Sequence, residues 1–135
     1  MTTAMKAHAE RLQNLTTVLA QESGLAFAAL VGSRATGKYR PDSDWDIALM
    51  WHDGVDEWEL LGKTETLRRA LAAAIDVEET AIDLIDLRRA NLAMHASVSE
   101  VGQPLWLANS LYWDRFLQRT WREIEDYKWE HTYGA

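Results

Sequence analysis

Cysteine is absent from the 135-residue chain, which excludes a disulfide framework and any thiolate-ligated zinc site. No apolar run approaches the roughly 18 residues that a membrane helix needs, and the opening MTTAMKAHAERLQNL lacks the apolar stretch of a secretion signal. A cytoplasmic protein with no membrane attachment is therefore expected. Basic residues are scarce, with 14 Lys and Arg against 21 Asp and Glu, a net charge of −7 with His neutral. Broad binding to DNA or RNA draws its affinity from a basic footprint, so no direct nucleic-acid binding is expected. What is present is ordinary for a folded domain: 47% hydrophobic and 26% charged residues exclude disorder, collagen and a long coiled coil. The length suits one domain, residues 1–135, and is short for an enzyme with a separate substrate domain. Seven tryptophans are the one unusual count.

Hydrophobic periodicity orders the chain. Leu12, Leu15, Leu19 and Ala20 recur at helical spacing within residues 3–23, and Gly24 stands where a helix cap belongs. LAFAALV, residues 25–31, is apolar without alternation and reads as a strand buried on both faces. Residues 32–44 are polar and hold Gly37 and Pro41, so they form a loop with no long helix. WDIALMW, residues 45–51, is a second strand closed by the turn signal Asp53-Gly54. A helix over 56–75, a strand over 80–87, a helix over 88–101 and a last helix over 111–130 complete the order, with Gly102-Gln103-Pro104 as a stop. The result is an α/β fold with a small mixed sheet flanked by helices and a C-terminal helix. Strands joined without a helix pair most easily antiparallel, so the first two should do so.

The chemistry concentrates where the first two strands meet their loop. Asp44 and Asp46 are two residues apart at a strand start, so both carboxylates face the same side of the sheet. Such neighbours repel, and aligned hard oxygens suit Mg²⁺, which prefers a few carboxylates together with waters and phosphates. Gly32, lacking a Cβ, lets backbone N–H groups approach a phosphate, and the Ser33 hydroxyl adds a donor. A third acid should come from the strand TAIDLIDL, where Asp83 and Asp86 have opposite parity. Asp86 precedes a helical stretch and reads as its N-cap. Asp83 stands mid-strand between Ile82 and Leu84, where burial demands a partner, and is the better metal ligand or base.

Gly32 to Lys38, GSRATGK, fills seven places of the P-loop pattern G-x-x-x-x-G-K-[ST]. Tyr39 takes the eighth place, and Pro41 ends the helix that a P-loop Lys should begin. Arg34, Lys38 and Arg40 remain as cations that either neutralise triphosphate oxygens or stand as solvated loop charges.

Gly32-Ser33, ten intervening residues, Asp44-x-Asp46 and the strand Ile82-Asp83-Leu84-Ile85 together resemble the nucleotidyltransferase superfamily of DNA polymerase beta type. Size and the phrases GSRATG and IDLIDLRRA are most similar to the minimal nucleotidyltransferases of MntA type, antitoxins paired with HEPN-domain toxins. The likeness covers residues of about 25–107, followed by a helical segment over about 109–131, and Trp45 replaces the Ile or Leu more usual between the two acids. The resemblance implies a minimal nucleotidyltransferase fold that binds ATP with two Mg²⁺ ions on Asp44, Asp46 and Asp83. It further implies transfer of AMP to a tyrosine of the partner RNase, with pyrophosphate released. Gly32 and Ser33 would position the β- and γ-phosphates, and Asp83 could take the acceptor's proton. Small-molecule nucleotidylation of the aminoglycoside-modifying kind and a non-catalytic antitoxin acting by binding alone are the alternative readings.

Trp113, Trp121 and Trp129 recur every eight residues in the last helix. Eight residues make about 2.2 turns, so they form a slowly drifting stripe that either packs on the sheet or anchors another chain.

Overall fold

A computed structural model describes residues 2–134. Helix α1 (Thr3–Leu19) leads into β1 (Leu25–Val31), a short helix α2 (Gly32–Thr36), β2 (Trp45–Trp51) and α3 (Glu57–Ala74). A single 3-10 turn then precedes β3 (Ile82–Asp86), α4 (Leu92–Val101), β4 (Gln103–Leu107) and α5 (Ser110–Tyr133). The sheet order is β3-β2-β1-β4. β1 pairs antiparallel with β2 and with β4, and β2 pairs parallel with β3, the arrangement that requires α3 as a crossover.

Each element follows from local chemistry. The Thr2 hydroxyl accepts the Met5 N–H at 3.1 Å and starts α1. α1 stops at Leu19, a turn earlier than the periodicity suggests, and turns through residues 20–24 lead to β1. Every residue of β1 is buried, because α1 and α3 cover one face of the sheet while α4 and α5 cover the other. Leu15, Leu19, Leu30, Trp45, Ile47, Leu49 and Leu71 fill the first layer. Phe27, Ala29, Ala48, Leu87, Val98 and Phe116 fill the second. Residues alternate between the two layers along β2, so Asp46 stands on the α4/α5 side of the sheet.

Two readings of the sequence need correction. Gly102-Gln103-Pro104 does end α4, but it opens a fourth strand, with Pro104 opposite Ala29. Proline is tolerated there because β4 is an edge strand whose outer side makes no ladder bonds. Asp86 is not a helix cap: its carboxylate accepts the Arg88 N–H at 3.0 Å and closes a turn, while Asn91 caps α4 by accepting the Met94 N–H.

The tryptophan stripe does not stay on one face. At about 100° per residue, a step of eight drifts by about 80°, enough to carry the side chains around the helix. Trp113 packs edge-on against Phe27, whereas Trp121 and Trp129 are 53% and 63% exposed. The last fully buried position of α5 is Thr120. From Trp121 to Tyr133 the helix, over about 20 Å, contributes nothing buried to the core. Trp121→Ala should therefore leave the unfolding free energy from chemical denaturation within about 0.5 kcal/mol of the parent. Phe116→Ala, in the second layer, should cost about 3–5 kcal/mol.

Candidate active site

The site sits where β1 ends and β2 and β3 begin. Parallel pairing places Asp46 directly opposite Asp83, and antiparallel pairing places Val31, the residue before Gly32, opposite Asp46. Three segments distant in sequence thus deliver Gly32, Asp46 and Asp83 to one spot. Asp44 lies just ahead of β2 and is exposed. Asp83 is exposed as well, contrary to the burial expected for a mid-strand acid. β3 starts only one residue earlier, after a 3-10 turn, so Asp83 lies at the open end of the sheet.

Gly32 is needed for two reasons. Its φ is +68°, a backbone conformation that side chains disfavour, and a Cβ built there would collide with the Asp46 carboxylate. The missing side chain makes room for Asp46 itself as well as for a ligand. Ser33, half-buried, follows at the start of the five-residue α2, which Gly37 closes with a left-handed φ of 80°. The helix thus ends before Lys38, the reverse of a P-loop, where the Lys leads into the helix. Lys38 and Arg40 are exposed on the loop beyond it.

Arg34 faces inward. It is only 4% exposed, and its Nη2 donates to the Ser43 carbonyl at 2.8 Å and to the Pro41 carbonyl at 3.3 Å. Its guanidinium lies over the rings of Trp45 and Tyr39, at 4.2 and 4.5 Å from their centroids. His8 of α1 stacks on the same two rings. The Nη2 of Arg34 is thus committed to two loop carbonyls, an internal role that the sequence reading of Arg34 as a triphosphate neutraliser did not include. The sequence shows the charge and not the carbonyls around it; the aromatic residues Tyr39 and Trp45 on either side of the loop are the only signal it carries.

Electrostatics mark Asp46. Burial, the neighbouring Asp83 and Asp44 carboxylates, and a hydrogen bond with Asp83 push its pKa above the usual carboxylate range. Among the described residues, no salt bridge neutralises any of the three acids. Nor are three ligands gathered among the described residues into a finished metal cage. The donor set nevertheless fits Mg²⁺, which commonly uses one or two carboxylates and completes its shell with water and substrate phosphates. Two facing carboxylates without a cation are the half of such a site that a protein supplies.

A model of the family described as Polymerase beta, Nucleotidyltransferase matches residues 13–110. The chain belongs to this nucleotidyltransferase family. Protein adenylyltransferase MntA of Shewanella oneidensis (strain MR-1) is 36% identical over 80 residues, 57% of this chain and 50% of that protein. The match thus spans half the length of this curated relative. A solved toxin-antitoxin structure with AMP-PNP superimposes with a TM-score of 0.68 at 26% identity, covering 88% of this chain and 90% of that one. The fold is shared as well with a complex of tri-AMPylated Shewanella oneidensis HEPN toxin and MNT antitoxin, with a TM-score of 0.66, 23% identity and 91% of both chains covered. The four-stranded mixed sheet with a long C-terminal helix is thus the nucleotidyltransferase architecture of these antitoxin structures.

The raised pKa of Asp46 has a definite sign. The folded chain holds a proton that the unfolded chain releases, so this group's contribution to stability is greatest in acid and is lost as pH rises through its folded pKa. Without divalent cations, Asp46→Asn should melt above the parent at neutral pH, and the gap should close at lower pH. Mg²⁺ should raise the parent's melting temperature and leave that of the variant nearly unchanged, a pair of readings available from thermal scans with and without EDTA. Gly32→Ala should lose roughly 1–2 kcal/mol from the left-handed backbone alone, measured by urea denaturation. It should abolish the Mg²⁺-dependent rise in melting temperature, because the methyl group displaces the Asp46 carboxylate.

Proposed function

We propose that the chain is an antitoxin protein adenylyltransferase that transfers AMP from ATP to a tyrosine of a cognate HEPN RNase toxin and so silences it. The observation that carries this reading is the register that sets Asp46 against Asp83 beside Gly32. It is supported by the likeness to protein adenylyltransferase MntA and to a toxin-antitoxin structure with AMP-PNP.

In this reaction the tyrosine oxygen bonds to the α-phosphorus of ATP as the bond from that phosphorus to the bridging oxygen breaks, and pyrophosphate leaves with that oxygen. Two Mg²⁺ ions, when bound, neutralise the charge that develops on the attacking and leaving oxygens. Asp44 and Asp46 would hold them through their carboxylates, and Asp83 would complete the set. Asp83 is also open to solvent, so an incoming hydroxyl can reach it and pass on its proton; a phenol with a pKa near ~10 needs such a base at neutral pH. Gly32 and Ser33 offer the phosphates their N–H groups and hydroxyl. Lys38 and Arg40, exposed on the adjoining loop, remain available for the triphosphate tail.

The partner has a surface to meet. Trp121 and Trp129 project from the part of α5 beyond the core, and exposed aromatics are favoured interface anchors. The net charge of −7 suits a basic RNA-cleaving partner.

Purified chain incubated with ATP, Mg²⁺ and the HEPN toxin should add AMP to toxin tyrosine, read by intact-mass and peptide mass spectrometry. Asp44→Asn or Asp83→Asn should lower the rate roughly 100-fold or more with an unchanged circular-dichroism spectrum. Full transfer by these variants, or AMP found only on small molecules, would overturn the proposal. Trp121→Ala combined with Trp129→Ala should weaken the complex with the toxin by roughly 2 kcal/mol in titration calorimetry.

A further inference from the structure

Asp44 has a problem that its two companions do not share. Asp46 and Asp83 are fixed by sheet register, but Asp44 precedes the first paired residue of β2, Trp45. Nothing in the ladder holds it. The residues on either side of it, Ser43 and Trp45, are the two that Arg34 grips, one through its carbonyl at 2.8 Å and the other through its ring at 4.2 Å.

We propose that Arg34 is the positioning residue of the acidic site: it fixes the end of the 37–43 loop so that Asp44 is presented beside Asp46. The proposal rests on the nucleotidyltransferase reading and extends it to a side chain that touches neither metal nor nucleotide.

Four observations support this role. Arg34 is carried by α2, the same short helix that opens with Gly32, so one rigid turn sets both the space for Asp46 and the brace for Asp44. Its second carbonyl contact, to Pro41 at 3.3 Å, and the Arg40–Ser43 turn, where the Arg40 N–H reaches the Ser43 hydroxyl at 2.8 Å, bind the loop to itself. His8 stacks on Tyr39 and Trp45 and ties the whole cluster to α1. Finally, the Nε of Arg34 is buried without a hydrogen-bond partner among the described residues. A buried orphan donor is retained only where something outweighs it, and here the planar group spans two carbonyls while lying over two rings. Lysine, a point charge on a flexible stem, cannot do both.

The experiment compares the parent with Arg34→Lys, using thermal melting to establish that the variant is folded. Amide hydrogen exchange over residues 41–45 should be roughly tenfold faster in the variant. Mn²⁺ affinity, measured by calorimetry with a non-hydrolysable ATP analogue present, should fall roughly tenfold, as for other groups that orient metal ligands. AMP transfer to the toxin should drop and recover in part at high Mn²⁺. Equal exchange and equal Mn²⁺ affinity in parent and variant would overturn the positioning role. So would an unchanged Mn²⁺ affinity with weakened analogue binding, which would make Arg34 a phosphate contact. If Arg34→Lys does not fold, Tyr39→Leu, which removes one ring and leaves both carbonyl bonds, is put through the same two measurements, with the same outcomes deciding. A parent chain that transfers no AMP would defeat the enzyme reading, while exchange over 41–45 would still decide the role of Arg34.

Discussion

One steric relationship governs the site: the Asp46 carboxylate occupies the space that a side chain at residue 32 would fill. It excludes any side chain at the turn out of β1, where the left-handed backbone favours glycine as well, and brings that turn against the Asp46 carboxylate. Parallel pairing of β2 with β3 then supplies Asp83 from the far side. Much of the remaining architecture serves this junction. α3 is the crossover that makes the parallel pairing reachable, and the helices on both faces bury the strands behind the acids.

The site is unfinished by design. Asp46 is held above its ordinary pKa by burial and by two like-charged neighbours, and among the described residues no salt bridge relieves it. Such an arrangement costs stability in the chain by itself at neutral pH. The buried cation of this region, Arg34, is engaged with loop carbonyls and aromatic rings.

Parts of this were legible in the sequence for stated reasons. β1 and β2 were readable to the residue, because the apolar run of β1 ended at Gly32 and that of β2, interrupted only by Asp46, stopped just ahead of the Asp53-Gly54 turn. The parity of TAIDLIDL distinguished Asp83 from Asp86, since side chains alternate along a strand whatever it packs against. What escaped depends on tertiary context. β4 was hidden by Gly102 and Pro104, breakers in most settings that an edge strand tolerates. The exposure of Asp83 depends on how far β3 extends past the sheet's rim. The inward turn of Arg34 depends on carbonyls seven and nine residues away, and a loop's path is not written in its composition. The eight-residue tryptophan spacing left core and interface both open, and a drift of about 80° per step leaves only Trp113 of the three on the core side.

Anomalous diffraction from crystals of the protein grown with Mn²⁺ and a non-hydrolysable ATP analogue tests the central claim most directly. Manganese peaks at the Asp44, Asp46 and Asp83 carboxylates, with the nucleotide's phosphates beside them, are the result predicted. A nucleotide bound at Lys38 in P-loop fashion, or manganese found only away from these carboxylates, would contradict the account.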